Sequence, residues 1–217
     1  MNSHKLYEKS GLYDFCLKSC AFEGSLDRFL NDLRLDGCYG KQILDAGCGT
    51  GLLGLHFLRR FPGSKLFATD LEANFLSATI DNAKKRGICL DRIATGIADI
   101  SAPKDVTSRE GEEQILKDGS FDLICVGAVV GYSSNTAQTL RSLVELLSPN
   151  GYLVNLEMNE GLVGRFVSHR YRYHNISLAI LKQTLADAGC EVSTKELSLR
   201  HIPAKLTRTA IIAHKSG

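Results

Sequence analysis

The sequence has no apolar run approaching the roughly 18–20 residues that cross a bilayer. Its opening stretch, MNSHKLYEKSGLYDF, lacks the apolar centre of a secretion signal. Both absences lead to the expectation of a soluble, cytoplasmic chain. Close cysteine pairing is also missing: of the cysteines at 16, 20, 38, 48, 89, 125 and 190, only Cys16 and Cys20 stand near each other. An odd, scattered set argues against a disulfide framework, and no structural zinc site is expected. Cys89, Cys125 and Cys190 lie in or beside apolar runs, where a reduced cysteine acts as a small hydrophobe. A large net charge is absent too, and +2 over 217 residues makes nucleic acid a second choice of partner. That total hides an imbalance. Residues 161–217 hold nine Lys and Arg against three acids, net +6, while residues 1–160 are net −4, and no acid falls between Glu160 and Asp187. A basic last third suits an acidic partner molecule and equally a solvated basic face.

What is present is concentrated in Lys41 to Gly54, KQILDAGCGTGLLG. Ile43-Leu44-Asp45-Ala46 is a short apolar run fit for a buried strand. Gly47-Cys48-Gly49-Thr50-Gly51 strips side chains from a tight loop, and Leu52, Leu53, Leu55 and Leu58 follow at helical spacing. Strand, glycine loop and helix together let backbone approach a ligand at the carboxyl edge of a parallel sheet. Gly49-x-Gly51-x-x-Gly54 fits the dinucleotide fingerprint literally. In that fingerprint the first glycine makes the turn off the strand, whereas here Gly47 already makes it. A nicotinamide-dependent oxidoreductase using NAD therefore stays an alternative, and no Tyr-x-x-x-Lys set supports it.

The whole string, Asp45-x-Gly47-x-Gly49-x-Gly51 after an apolar strand, resembles motif I of the class I S-adenosylmethionine-dependent methyltransferases. The resemblance extends from Lys41 to the C-terminus. It implies S-adenosyl-L-methionine as cofactor and S-adenosyl-L-homocysteine as product. Gly47, Cys48, Gly49 and Gly51 would let backbone approach the methionine moiety, with Asp45 beneath the loop. Asp70, with Leu71 after it, would hold the ribose. Asp99 would accept from the adenine amino group, with Ile100 against the ring, and Gly127 would contact cofactor or substrate. Spacing alone supports Asp70: it ends an apolar run about where an acid meets a ribose hydroxyl pair, although it could also cap the following helix. Asp99 could likewise be a turn residue.

The remaining pattern alternates. Leu6 to Leu35 is helical, with Leu6, Tyr7, Leu12, Tyr13, Cys16, Leu17 and Cys20, then a second segment carrying Leu26, Phe29, Leu30 and Leu33. Strands are expected at 65–69, 92–98, 121–126, 152–157, 191–199 and 208–213. Helices are expected at 50–61, 72–86, 135–147 and 176–188. Ser101 to Ser120 should be a loop insertion with a short surface helix. This tally defines an α/β fold, a doubly wound sheet. The resemblance implies seven mostly parallel strands with the last antiparallel. The expected layout is an N-terminal helical segment, residues 1–40, covering the site of a Rossmann-like domain, residues 41–217.

For the acceptor, Arg165, Arg170 and Arg172 are interleaved with His169, Tyr171, Tyr173 and His174, a mix suited to a carboxylate or phosphate on a flat molecule and also to a solvated surface. His169, Tyr171 and His174 are the candidate bases, and the two histidines have no acid or cysteine beside them to complete a metal site. No Asn/Asp-Pro-Pro-Tyr follows strand four and no Pro-Cys occurs, which disfavours nucleic-acid-methylating branches of the family. The resulting expectation is transfer to a small, acidic molecule, with no membrane partner. The alternatives are a protein or RNA methyltransferase and a catalytically silent cofactor-binding subunit.

Overall fold

In the computed structural model, which describes residues 21–217 apart from Gly37 and Tyr39, alternation in the apolar runs becomes a sheet buried on both faces. β1 (Gln42–Ala46), β2 (Lys65–Asp70), β3 (Ile93–Ile97), β6 (Phe121–Gly127) and β7 (Leu147–Met158) pair in parallel in the order β3-β2-β1-β6-β7. Successive residues point to opposite faces. Ile43, Leu123, Cys125 and Val154 enter one apolar cluster, and Leu44, Ile124, Val126 and Leu153 enter the other.

Helices cover each face. The first cluster takes α1 (Phe22–Asp32), α2 (Leu52–Arg60) and α3 (Ala73–Lys85), and the second takes α4 (Thr136–Leu146) and α6 (Leu178–Asp187). Between β7 and α6 runs α5 (Leu162–Arg170), whose Leu162 and Phe166 face solvent. Its apolar residues do not follow the burial periodicity that exposes a helix to sequence reading. β9 (Arg208–Lys215) inserts antiparallel between β7 and β8 (Cys190–Lys195), as expected for the closing strands.

The strand count differs from the expected seven: among the described residues the sheet has nine. The two additions, β4 (Asp105–Thr107) and β5 (Glu113–Ile115), form a hairpin on the β3 edge where a short helix was expected. Val106 and Thr107 are β-branched and favour extended backbone. Gly111 takes a left-handed φ of 89° in the turn, and the Ser108 amide donates to the Glu112 carbonyl at 2.8 Å. Val106, only 2% exposed, docks the hairpin.

The segment expected at Leu6, Tyr7, Leu12, Tyr13, Cys16, Leu17 and Cys20 lies outside the described residues. The second N-terminal segment is α1, and it is firmly seated. Asp27 Oδ1 meets His56 Nδ1 at 2.7 Å, Asp32 Oδ2 meets His201 Nε2 at 3.0 Å, and Arg60 donates to the Leu30 and Leu33 carbonyls at 2.7 and 2.8 Å. Among the described residues no helix is long and apolar enough to cross a membrane.

Candidate functional site

At the carboxyl edge of β1 the chain turns sharply through Gly47, whose φ is 68°. Glycine is needed twice over here, because a Cβ would also come within 2.4 Å of Val129 Cγ2. Gly49 and Gly51 continue the left-handed path, and Gly51 is the N-cap of α2. Beneath the loop, Asp45 is 1% exposed and its Oδ2 accepts the Gly54 amide at 2.8 Å, satisfying a first-turn donor of α2. A Cβ on Gly54 would lie 2.7 Å from that oxygen. The third glycine of the dinucleotide-like match therefore serves the approach of a buried carboxylate.

Burial pushes the Asp45 carboxyl up to about 7, against the opposing pull of the Gly54 N–H. Cys48 Sγ sits 3.5 Å from Thr79 Oγ1, and burial raises its thiol well above the ordinary range, so it is an unreactive part of the wall. Asp70, at the end of β2, accepts the Gly49 amide at 2.8 Å on Oδ2 and the Glu72 amide at 3.1 Å on Oδ1. Burial raises its pKa too. The carboxylate is thus fixed against the loop, with further lone pairs to offer. Leu71 beside it is 59% exposed. Asp99, after β3, is exposed and accepts the Ser101 amide at 2.7 Å, while Ile100 packs into the second cluster.

A small cleft of about 70 Å³ opens on the α1 side of this edge. Asp45, Gly47, Cys48, Gly49, Thr50, Leu52, Leu53 and Gly127 line it, joined by Phe22 and Leu26 from α1, Leu156 from β7 and Arg208 from β9. Phe22 and Leu26 come from the N-terminal segment expected over the site, although individually they belong to an ordinary amphipathic pattern. Leu156 and Arg208 carry no site signal in the sequence, and Arg208 acquires meaning only from its register opposite Met158.

The arginine-rich segment lies elsewhere. Arg165, His169, Arg170, Arg172 and His174 are exposed, Tyr171 is half-buried, and none lines the cleft. Tyr173 explains the placement. Its hydroxyl donates to buried Glu157 and accepts the Gly131 amide at 3.0 Å. Strand alternation puts Leu156 towards the cleft and Glu157 on the other face, so the turn carrying Arg172 and His174 is held away from it. Glu157 also accepts the Met158 amide at 2.9 Å, and burial raises its pKa.

An open α/β sheet with a glycine loop off β1 and an acid at the end of β2 is the architecture of the Rossmann-like class. The particular family follows from comparison: residues 44–153 match the methyltransferase domain family, and the chain belongs to it. A malonyl-[acyl-carrier protein] O-methyltransferase from Magnetococcus marinus is 27% identical over 112 residues, 52% of this chain and 36% of the relative. A ubiquinone biosynthesis O-methyltransferase from Actinobacillus pleuropneumoniae is 27% identical over 140 residues, 61% of this chain and 55% of the relative. The chain thus spans about half or less of the length of the curated relatives it matches. Among solved structures, phosphoethanolamine N-methyltransferase 2 of Haemonchus contortus, in complex with S-adenosyl-L-methionine, superposes with a TM-score of 0.61 at 14% identity, covering 82% of this chain and 49% of that one.

Proposed function

We propose that the chain binds S-adenosyl-L-methionine and transfers its methyl group to a small-molecule acceptor. The observation that carries this reading is the Gly49 amide bound to the Asp70 carboxylate, which locks the glycine loop to the acid expected to meet the ribose. Gly47, Cys48 and Gly49 would cradle the methionine moiety. Asp70 would accept from the ribose hydroxyls beside Leu71, and Asp99 from the adenine amino group with Ile100 at the ring. Gly127 would lie at the reactive end.

When bound, the sulfonium supplies an electrophilic methyl carbon with a neutral thioether leaving group. The cleft walls would then hold an acceptor in line with it and keep water out. Such alignment can by itself replace the entropy cost of a bimolecular encounter. Apart from the inert Cys48 thiol, Asp45 and Arg208 are the titratable residues among those lining the cleft. Asp45 is committed to Gly54, so positioning is the main contribution of the protein.

The test is thermal unfolding with S-adenosylmethionine, S-adenosylhomocysteine and NAD in separate wells, followed by methyl-transfer assays on small acceptors. At about 100 times its dissociation constant a ligand adds about 2.7 kcal/mol, or about 5–10 °C in a domain of this size. A shift with NAD alone would overturn the reading.

A further inference from the structure

We infer that Arg208 is the anion-binding residue of the acceptor half of the cleft, so that the acceptor carries a carboxylate or a phosphate. This rests on the cofactor reading above. Arg208 opens β9 and pairs with Met158, the last residue of β7. Its guanidinium carbon lies over the Phe22 ring, 5.4 Å from the centroid, and both side chains line the cleft. This cation–π contact holds the guanidinium at the wall.

That guanidinium has little to bind within the protein. Nη1 donates to the Met158 thioether, a weak acceptor, and reaches the Thr207 carbonyl only at 3.4 Å. The nearby acid, Glu157, is occupied by Tyr173, by the Met158 amide and by Asn155 at 3.3 Å. Arg208 makes no carboxylate ion pair among the described residues. A fixed guanidinium with spare donors in a partly desolvated cleft suits a bidentate anion.

Strand order assigns the anion to the acceptor. Asp70 and Asp99 lie at the ends of β2 and β3, on one side of β1, whereas β6, β7 and β9 follow on the other. At about 4.8 Å per strand, Arg208 starts about 14 Å from β1 in the direction away from the nucleoside acids. A ligand anchored at Asp99 and Asp70 with its reactive end over Gly47 and Gly127 leaves that far end for a second molecule.

The test compares wild type, Arg208→Gln and Arg208→Lys, each checked for an unchanged far-ultraviolet spectrum. S-adenosylhomocysteine and 5′-methylthioadenosine, which lacks the carboxylate, are titrated calorimetrically. Protein saturated with S-adenosylhomocysteine is then titrated with benzoate, phenyl phosphate and neutral benzamide. The expected result is preference of wild type for an anion over benzamide, lost by about ten- to hundredfold in Arg208→Gln and partly kept in Arg208→Lys, with S-adenosylhomocysteine binding unchanged. Absence of anion preference in wild type, or equal preference in Arg208→Gln, overturns the inference. Weakened binding of S-adenosylhomocysteine but not of methylthioadenosine in Arg208→Gln also overturns it, by assigning the anion to the cofactor. If wild type binds neither sulfur nucleoside, the cofactor reading fails separately, and the same anion titrations on the unliganded protein still decide the role of Arg208.

Discussion

Replacing Asp45 by Asn removes a buried ionisable group without changing the side chain's shape, and its main effect should be on how stability depends on pH. Asparagine can still accept the Gly54 amide through its carbonyl oxygen. In the folded protein burial holds the Asp45 carboxyl at about 7, against 3.8 when unperturbed. The folded state therefore keeps a proton that the unfolded chain has released. A raised carboxyl contributes stability that is fully present below the unfolded value, about pH 4, and is lost as pH rises towards 7. Each pH step of one across which the folded protein holds that extra proton removes about 1.4 kcal/mol, so the wild type should lose about 3 kcal/mol from this one group between pH 5 and pH 8. Asp45→Asn should not lose it. Urea unfolding of both proteins at the two pH values gives the double difference directly. With a slope of about 1–3 kcal/mol per molar urea, the midpoint of the variant relative to wild type should move by about 1 M or more in the stabilising direction at pH 8. Parallel pH profiles for the two proteins would refute the claim that Asp45 is held protonated by burial.

Three further outcomes follow from individual contacts of the structure. Gly47→Ala places a Cβ in left-handed backbone and against Val129; the two costs, about 1–2 and about 1–3 kcal/mol, sum to about 2–5 kcal/mol in denaturant unfolding. The same variant should bind S-adenosylhomocysteine at least about tenfold more weakly by calorimetry. Tyr173→Phe strips a donor from buried Glu157 and an acceptor from the Gly131 amide, costing about 2–4 kcal/mol. Because the Tyr173 hydroxyl helps hold the Glu157 carboxyl down, this loss should be larger at pH 8 than at pH 5, and equal losses would contradict the assignment. Arg92→Met deprives the Leu58, Phe61 and Ser64 carbonyls of donors at 2.7, 3.0 and 2.9 Å. It should cost about 3 kcal/mol of stability with S-adenosylhomocysteine affinity within about twofold of wild type, as calorimetry would show.

The parts of the protein legible in the sequence are those whose physics is local. Gly47, Gly49 and Gly51 announce a turn because the backbone there needs conformations that other residues avoid. β1, β2, β6 and β7 announce themselves as short apolar runs because parallel strands are buried on both faces. Asp70 is readable from its place at the end of such a run. β4 and β5 are not, because three-residue strands of mixed polarity carry no period to detect. Helix α5 is hidden for the opposite reason: it has apolar residues, but Leu162 and Phe166 face solvent and Gly164 and Ser168 are its buried positions. The arginines at 165, 170 and 172 illustrate the limit of composition as a guide to sites. Their clustering in sequence says nothing about which face of the sheet they reach, and that is fixed by Tyr173 seeking the buried Glu157.

Arg208 shows how topology turns a charge gradient along the chain into one across the site. Asp45, Asp70 and Asp99 come from the first half of the sequence, and their strands run parallel, so each acid near a strand's end is delivered to the same carboxyl edge. The basic last third could reach that edge at the start of β9 only because β9 runs the other way. Antiparallel pairing sets Arg208 against Met158 and sends Lys215 to the opposite edge, where its amino group binds the Val144 and Leu147 carbonyls. Were β9 parallel to β7, the same residues would exchange places. A flexible, strongly hydrated ammonium would then stand at the cleft in place of a planar guanidinium lying over Phe22. Reversal of one strand thus places the fork-shaped cation on the side of β1 remote from Asp70 and Asp99, and the charge proposed for the acceptor would be a consequence of sheet order.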